Sequence, residues 1–540
     1  MHFPRGVHAP RGHRSDPDRQ RAAGRDSVLR APRRPAARLH HRRRAADRLE
    51  RPRPQRPRRS QAPAGAQARG QADPAVSRTG DARGPTQQDR LDMSRQLFGT
   101  DGIRGRAGQE PLTSSTLEAF GFALAGQLGG SGASVVIGHD GRESGETLVA
   151  ALAEGLSRGG VGVDVVGLAP TPAVAYLTSA GEYAAGIMVS ASHNPAADNG
   201  VKLFGTDGAK LSDEREAEIE AVFFAEEQPA PAEEPGSIKR TKNLLGDYIG
   251  WLRSEAFPEL DLGGRRILID CANGAVSQIA GRVVHAFGGE IVAVHDKPDG
   301  RNINDGCGAM HPEVAAAALL EHDCWIGLSV DGDGDRAMLI DSKGRILDGD
   351  AILAGLGELL GARDALPGKT VVATVMSNLA LEQWIESRDL RLLRTAVGDR
   401  YVAEAMREHG FALGGEKSGH MLFGAEHGFR GDGLYTLLKV CQELRSASRG
   451  PEEFAAGYAD LPQKLLNLDA VRRAPLEELP ALAAACEAVE SELAGDGRTV
   501  VRFSGTELKL RLMVEARTEV QVEDAIAKLR AAAEQDEILA

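Results

Sequence analysis

From Ala133 onward, short apolar runs alternate with stretches of helical character. "ASVVIG" (133–138) reads as a strand, and "SGETLVAALAEGLSRGG" (144–160) as a helix closed by a glycine stop. "VGVDVVG" (161–167) reads as a strand, "PAVAYLTSAG" (172–181) as a short helix, and "AAGIMVS" (184–190) as a third strand. Apolar strands alternating with helices predict a mostly parallel sheet covered on both faces.

The pattern then restarts twice. "RRILIDC", a helix over 276–287, "EIVAVH", a helix over 313–321 and "CWIGLSV" form a second unit. "KTVVATV", a helix over 379–387, "LRLLRTA", a helix over 400–408 and "FALGG" form a third. The topology repeats without a repeat of sequence. The end of the chain differs: a helix near 476–494 precedes "RTVVRFSG", "LKLRLMVEA" and a helix over 520–533, a small α+β pattern.

Composition shifts mark the seams. "AEEQPAPAEEPGS" (225–237) is a Pro- and Glu-rich surface segment, and further seams fall near 341–349 and 450–463. The expected division is 1–92, 93–245, 246–343, 344–460 and 461–540. Three topologically related mixed or parallel α/β domains and a small C-terminal α+β domain are expected.

The net charge of −12 over 540 residues conceals two unlike parts. Residues 1–92 hold 23 arginines and no lysine, with many prolines and alanines and no apolar period. Such a segment cannot bury a core, and disorder is expected. A basic arm for nucleic acid, a transit peptide (opposed by Asp16, Asp18 and Asp26) and an upstream stretch translated from too early a start all fit it. Arginine without lysine, with Met93 just before the first ordered motif, favours the last. The remainder is acidic, a poor electrostatic match for nucleic acid. No apolar run of the length of a membrane span occurs. Cys271, Cys307, Cys324, Cys441 and Cys486 are scattered without CxxC pairing, as in a reducing cytosol.

In open α/β sheets ligands gather at the C-terminal ends of strands, and the polar loops there form a short list. Ser190-Ala191-Ser192-His193-Asn194-Pro195 ends an apolar strand; it is a turn, or one serine is an activated nucleophile. "SVDGDGDRAML" sets Asp331, Asp333 and Asp335 among glycines, and three neighbouring carboxylates repel one another unless a hard cation such as Mg²⁺ or Ca²⁺ neutralises them. An EF-hand fails, because Arg336 stands at the sixth position and Ser342 at the twelfth. "LGGEKSGH" (413–420) alternates Glu416, Ser418 and His420 among small residues, open to a polyhydroxylated ligand. "RFSGTE" (502–507) is a turn or an anion cradle, with Arg511 nearby. In "FGTDGIRG" (98–105), Arg104 and the glycines could face a phosphate. No Walker A sequence and no GxGxxG opening a helix is present. A serine, a metal site and an anion anchor imply phosphoryl transfer, and without a nucleotide motif the expected donor is a phosphoserine of the chain itself.

FGTDGIRG, SASHNP, DGDGDR, GGEKSGH and RFSGTE, in that order from about Met93 to the C-terminus, resemble the α-D-phosphohexomutase superfamily. Together with "DGRNINDGCG" (299–308) and "VGDRYV" (397–402), they resemble its bacterial branch acting on glucosamine phosphates. The resemblance implies three related α/β domains and a C-terminal helix-on-sheet domain around a central cleft. It implies an isomerase that interconverts glucosamine 6-phosphate and glucosamine 1-phosphate for cell-wall precursors, through a phosphoserine and a hexose 1,6-bisphosphate. It implies that Ser192 is phosphorylated and that Asp331, Asp333 and Asp335 hold one Mg²⁺ that also touches Ser192. Lys202 and His420 become candidate general acid/base groups, each needing a pKa drawn toward neutral, with Arg104 and Arg336 as phosphate-side cations. Glu416 and Ser418 would contact sugar hydroxyls. Arg502, Ser504, Gly505, Thr506 and Arg511 would hold the other phosphate. A cytoplasmic enzyme of small hexosamine phosphates is implied, with neither nucleic acid nor membrane as partner, and with room for a homodimer. Lys417, Phe503 and Leu508 depart from the expected pattern.

Overall fold

The computed structural model describes residues 97–540 apart from Thr100, Gln228, Pro229, Lys242 and Gly505–Glu507. The Arg-rich segment 1–92 therefore lies outside the described residues, as do Gly505 and Thr506.

Four sheets give a four-domain α/β architecture. The first orders its strands β1-β5-β4-β2-β3-β6: Ile103–Arg106 (β1), Ser134–His139 (β2), Gly162–Leu168 (β3), Ala185–Val189 (β4), Asp198–Phe204 (β5) and Ile238–Arg240 (β6). The second is β11-β10-β9-β7-β8: Arg266–Asp270 (β7), Glu290–Val294 (β8), Ile326–Ser329 (β9), Met338–Ile340 (β10) and Ile346–Leu347 (β11). The third is β13-β12-β14-β15: Thr370–Thr374 (β12), Arg391–Thr395 (β13), Leu413–Gly415 (β14) and Met421–Phe423 (β15). The fourth is antiparallel, β16-β18-β17: Gln463–Asp469 (β16), Arg498–Phe503 (β17) and Lys509–Glu515 (β18).

One arrangement recurs in the first three sheets. Two parallel strands are joined by a helical crossover, the third strand pairs parallel to the first, and a fourth returns antiparallel beside the third. The return strands β5, β10 and β15 make the sheets mixed rather than mostly parallel. They escape the apolar-run criterion because β5 opens Asp-Asn-Gly and β10 and β15 span three residues each. Their presence matters for function. Each polar loop that follows a third strand is a tight connection to its return strand, so its side chains are held at both ends.

The helices bury apolar stripes against these sheets. In Gly145–Arg158 (α2), Leu148, Val149, Leu152, Ala153 and Leu156 face inward, each large side chain contributing about 1.5–3 kcal/mol on burial. Ser114–Gln127 (α1) packs alongside, so closely that a Cβ at Gly155 would fall 2.0 Å from the Glu118 carbonyl oxygen. Only glycine allows that approach. The expected helix 276–287 is instead a 3₁₀ turn, Ala275–Gln278, followed by an α-helix, Ala280–Ala286. Pro480–Leu493 and Glu519–Gln535 cover one face of the last sheet around Leu482, Leu510, Leu512 and Leu529.

Candidate active site

The loops after β4, β9 and β14 meet. Ser192 in the first is 2% exposed and sits in the left-handed region at φ 53°, a conformation that costs a non-glycine residue about 1–2 kcal/mol. The surroundings impose it. The Ser192 amide donates to Ser190 Oγ at 2.8 Å, and Ser190 Oγ donates to Asp140 Oδ2 at 2.7 Å. The buried Arg142 guanidinium pairs with Asp140 at 2.8 Å and donates to the carbonyls of Ser192 and Asn194, both at 2.9 Å, and to those of Pro195 and Asp198. Asn304, from the second domain, donates to the Ser192 carbonyl at 2.9 Å. A strained, over-determined serine is what a positioned reactive group requires.

Ser192 Oγ donates to the carboxylate of Asp331 in the loop after β9. Asp331, Asp333 and Asp335 are buried, and one carboxylate oxygen of each lies within 4.8 Å of the others. Burial, with Asp335 and Asp333 beside it, pushes the Asp331 carboxyl far above the usual carboxylate range. Asp333 Oδ1 and Asp335 Oδ1 are buried without a hydrogen-bond partner. Three buried carboxylates brought this close, two of them with an unpartnered oxygen, fit a hard divalent cation. A second group, Asp270, His295 and Cys307, is equally compact. There, however, Asp270 Oδ1 accepts from the Ala272 amide and meets His295 Nδ1, each at 3.0 Å, and Oδ2 accepts from the Gly308 amide at 2.9 Å. That carboxylate is saturated and serves the fold.

Lys202 comes in on β5, paired in register with Met188 of β4. It is 2% exposed, with Nζ 2.8 Å from Asp333, 2.9 Å from Asp335 and 3.6 Å from Asp101. A lysine drawn toward neutral is the sequence expectation; the structure gives the reverse. Burial disfavours the ammonium, but Asp101, Asp333 and Asp335 together hold its pKa well above the ordinary lysine value. His420 closes the ring of these side chains. Its Nε2 is 3.6 Å from Asp335 and 3.5 Å from Asp399, while Lys210 bridges Asp399 at 2.7 Å and Asp101 at 2.6 Å. A cavity lined by Thr171, Lys210, Asp335, Asp399, Arg400 and His420 opens here.

Two cations face the serine loop. Arg104 on β1 donates to the Ala191 carbonyl at 2.5 Å, and Arg336 Nε lies 3.8 Å from Asp331. Burial and these two guanidiniums push His193 down to about 4, so its imidazole is neutral at physiological pH. Such a concentration of positive charge beside a serine suits a phosphoryl group. The loops after β9 and β14 are joined directly: Arg336 pairs with His420 in a β-bridge, and the Ala337 amide donates to the Gly419 carbonyl at 2.9 Å. Glu416 accepts from the Gly398 amide at 3.1 Å and lies 3.8 Å from His420; burial raises its pKa. Ser418 is half-buried in the same loop.

In the last sheet Arg502 and Arg511 are direct cross-strand partners, and Arg511 donates to Ser504 Oγ at 3.2 Å. Like charges set opposite each other are unfavourable without an anion, and burial with Arg511 beside it lowers the Arg502 pKa. Gly505 and Thr506 of this turn lie outside the described residues. Phe503 packs against the core of that sheet, while Leu508 is exposed.

Sequence reasoning passed over Arg142, Asp101, Asp399 and Asn304. Asp101, Asp399 and Asn304 stand inside motifs already singled out; Arg142 pairs with Asp140 two residues away, but its other partners are backbone carbonyls 50 to 56 positions along the chain, which leave no mark in the sequence around it.

The fold and the convergence of these loops define a class of phosphosugar-transforming α/β enzymes. The chain matches the phosphoglucomutase/phosphomannomutase α/β/α domain I over residues 95–230, domain II over 248–344, domain III over 348–461 and the C-terminal domain over 465–532. It belongs to the phosphoglucomutase/phosphomannomutase family. Phosphoglucosamine mutase of Anaeromyxobacter sp. is 43% identical over 454 residues, covering 82% of this chain and 96% of that protein. Phosphoglucosamine mutase of Paracoccus denitrificans is 44% identical over 446 residues, covering 82% and 99%. Among solved structures, a phosphoglucomutase/phosphomannomutase family protein from Burkholderia thailandensis matches with a TM-score of 0.69 at 26% identity, covering 82% of this chain and 97% of that one. The N-acetylphosphoglucosamine mutase of Aspergillus fumigatus in complex with GlcNAc-6P and magnesium matches in fold, with a TM-score of 0.57 at 20% identity, covering 84% and 100%.

Proposed function

We propose that this chain is a phosphoglucosamine mutase in which Ser192, phosphorylated, interconverts glucosamine 6-phosphate and glucosamine 1-phosphate through a bound 1,6-bisphosphate. The observation that carries this reading is the hydrogen bond from Ser192 to Asp331, which joins the putting-in-place of a nucleophile to the acidic trio. The curated relatives at 43–44% identity favour the glucosamine substrate.

In the forward direction the phosphorus–Oγ bond of phosphoserine 192 breaks as the free sugar hydroxyl bonds to phosphorus, and the hydroxyl proton leaves to a base. The bisphosphate then turns over, the bond between its other phosphorus and the sugar oxygen breaks as Ser192 Oγ bonds to that phosphorus, the freed sugar oxygen takes back the proton from the same base, and the isomeric monophosphate departs. The proton carrier in this reading is His420, which lies beside Asp335, Asp399 and Glu416. Lys202, held charged, neutralises the site from beneath. Arg104 and Arg336 flank the phosphoryl group. Asp331, Asp333 and Asp335 would hold Mg²⁺, which supplies charge neutralisation at the transferring group. Glu416 and Ser418 would take sugar hydroxyls, and Arg502, Ser504 and Arg511, with Gly505 and Thr506, the second phosphate. The bisphosphate serves as activator as well as intermediate.

Among the described residues no helix is long and apolar enough to cross a membrane, and five buried free thiols suit a cytoplasmic setting. A homodimer is compatible with this reading; nucleic acid has no part in it.

A coupled assay on glucosamine, glucose and mannose 6-phosphates tests the proposal. Glucosamine 6-phosphate is expected to give the highest kcat/KM, with a mass increment of one phosphate on the resting enzyme. A preference for mannose or glucose phosphate would assign the other activities of the family, and no turnover of any hexose phosphate would end the reading.

A further inference from the structure

Lys417 lies between Glu416 and Ser418 in the connection from β14 to β15, yet its side chain leads away from both. Its Nζ is 3.0 Å from Asp348, 3.5 Å from Asp350 and in contact with Asp460. Asp348 caps the helix Gly349–Gly361, accepting from the Ala351 amide at 3.0 Å, and the Gly349 amide donates to the Lys417 carbonyl at 3.1 Å. The loop is thus anchored on its own domain. Asp460 is different. It lies in the connector that leads into β16, the first strand of the C-terminal sheet. Tyr458 donates to Asp460 Oδ1 at 2.8 Å, and Tyr458 itself stacks edge-on against Trp384.

A second route runs in parallel. The fully buried Asp350 accepts from the Asn378 amide at 2.7 Å. The Asn378 side chain brackets Leu461, donating to its carbonyl and accepting from its amide, each at 3.0 Å. Beyond the connector, Glu515 of β18 accepts from the Leu379 amide at 2.9 Å. One ammonium therefore sits where the loop between β14 and β15, the first turn of a domain-three helix and the connector into the C-terminal domain converge. A single exposed ion pair couples weakly, but three carboxylates on one cation, one of them without solvent, resist separation.

We propose that Lys417 is a positioning residue that latches the sugar-side loop to the connector of the C-terminal domain, so that the setting of Glu416 and Ser418 changes together with that of the Arg502–Arg511 pair. Its use rests on the mutase reading: a bisphosphate that must turn over while staying bound needs its sugar and phosphate contacts to loosen and re-form in concert.

The test uses the full chain with Lys417→Met, Lys417→Arg, Asp460→Asn and the Lys417→Met/Asp460→Asn double variant. Amide exchange over residues 458–463 is measured first without ligand. The latch predicts exchange about 10-fold faster than wild type in Lys417→Met and in Asp460→Asn, restoration by Lys417→Arg, and no further change in the double variant. With added glucose 1,6-bisphosphate, wild type should gain protection in residues 414–420 and 458–463 together, and Lys417→Met in the first segment alone. The bisphosphate concentration for half-maximal turnover should rise about 10-fold in Lys417→Met, with kcat at saturation reduced less. Wild-type exchange in the unliganded Lys417→Met and Asp460→Asn variants, or additive effects in the double variant, would overturn the latch. Absence of mutase activity in wild type would instead overturn the mutase reading, leaving the unliganded comparison to judge the latch by itself.

Discussion

Ser192 Oγ and the Asp331 carboxylate, 139 positions apart in the chain, share a buried hydrogen bond across the first and second domains. Neither residue is intelligible alone. A serine in a left-handed turn is strained, and burial with two neighbouring carboxylates pushes the Asp331 carboxyl above its usual range; a phosphoryl group on the serine and a cation at the carboxylates would answer both.

Ser192→Ala removes the group on which the phosphate would be carried. Turnover should fall by at least about 10³-fold, as for other covalent nucleophiles, and the phosphate mass increment should disappear. Arg142, Ser190 and Asn304 hold the loop through backbone atoms, so the thermal midpoint should move little. An active variant with a native circular dichroism spectrum would remove Ser192 from the mechanism.

Lys202→Met strips the cation from Asp333 and Asp335. Leaving buried carboxylates unpaired costs about 3–5 kcal/mol, readable by urea denaturation in the presence of chelator. Mg²⁺ should restore part of that loss, because the cation can take over neutralising the same carboxylates. Equal destabilisation with and without Mg²⁺ would separate the lysine from the metal site.

Arg142→Lys tests the clamp on the serine loop. One ammonium cannot reproduce a planar fork that reaches Asp140 and four carbonyls. Turnover should drop by about 10²-fold, the usual consequence of a displacement near 1 Å, with Mg²⁺ binding measured by calorimetry nearly unchanged. Loss of Mg²⁺ binding with intact turnover would contradict this division.

Much of this was readable from the order of residues. Apolar runs mark the third strand of each α/β domain, and SASHNP, DGDGDR and EKSGH follow those strands directly. What stayed hidden has a common cause. The return strands are short or open with Asp, Asn and Gly, so no period announces them, yet β5 is what carries Lys202 under the acidic trio. Arg142 acts on carbonyl oxygens, which every residue possesses. Asp101 and Asp399 gain meaning only when Lys210 bridges them. The direction of the Lys202 pKa depends on three carboxylates from two domains and has no signature in the residues beside it.

The stability of the latch region should vary with pH through Asp350. Burial raises its carboxyl to about 6, against the opposing ammonium of Lys417. In the unfolded chain the same group titrates near 3.9. Between those values the folded state binds the extra proton, so this contribution favours folding most at low pH. It declines as pH rises from about 4 to 6 and is level above. The shift of about two units corresponds to roughly 3 kcal/mol. Asp350→Asn keeps an oxygen to accept from the Asn378 amide but cannot ionise. Denaturation between pH 4 and 8 should therefore show the variant gaining on wild type across that window and holding a constant advantage beyond it. A difference that is flat with pH, or that grows in the wild type's favour above pH 6, would mean that Asp350 ionises freely in the folded protein and that Lys417 compensates it in full.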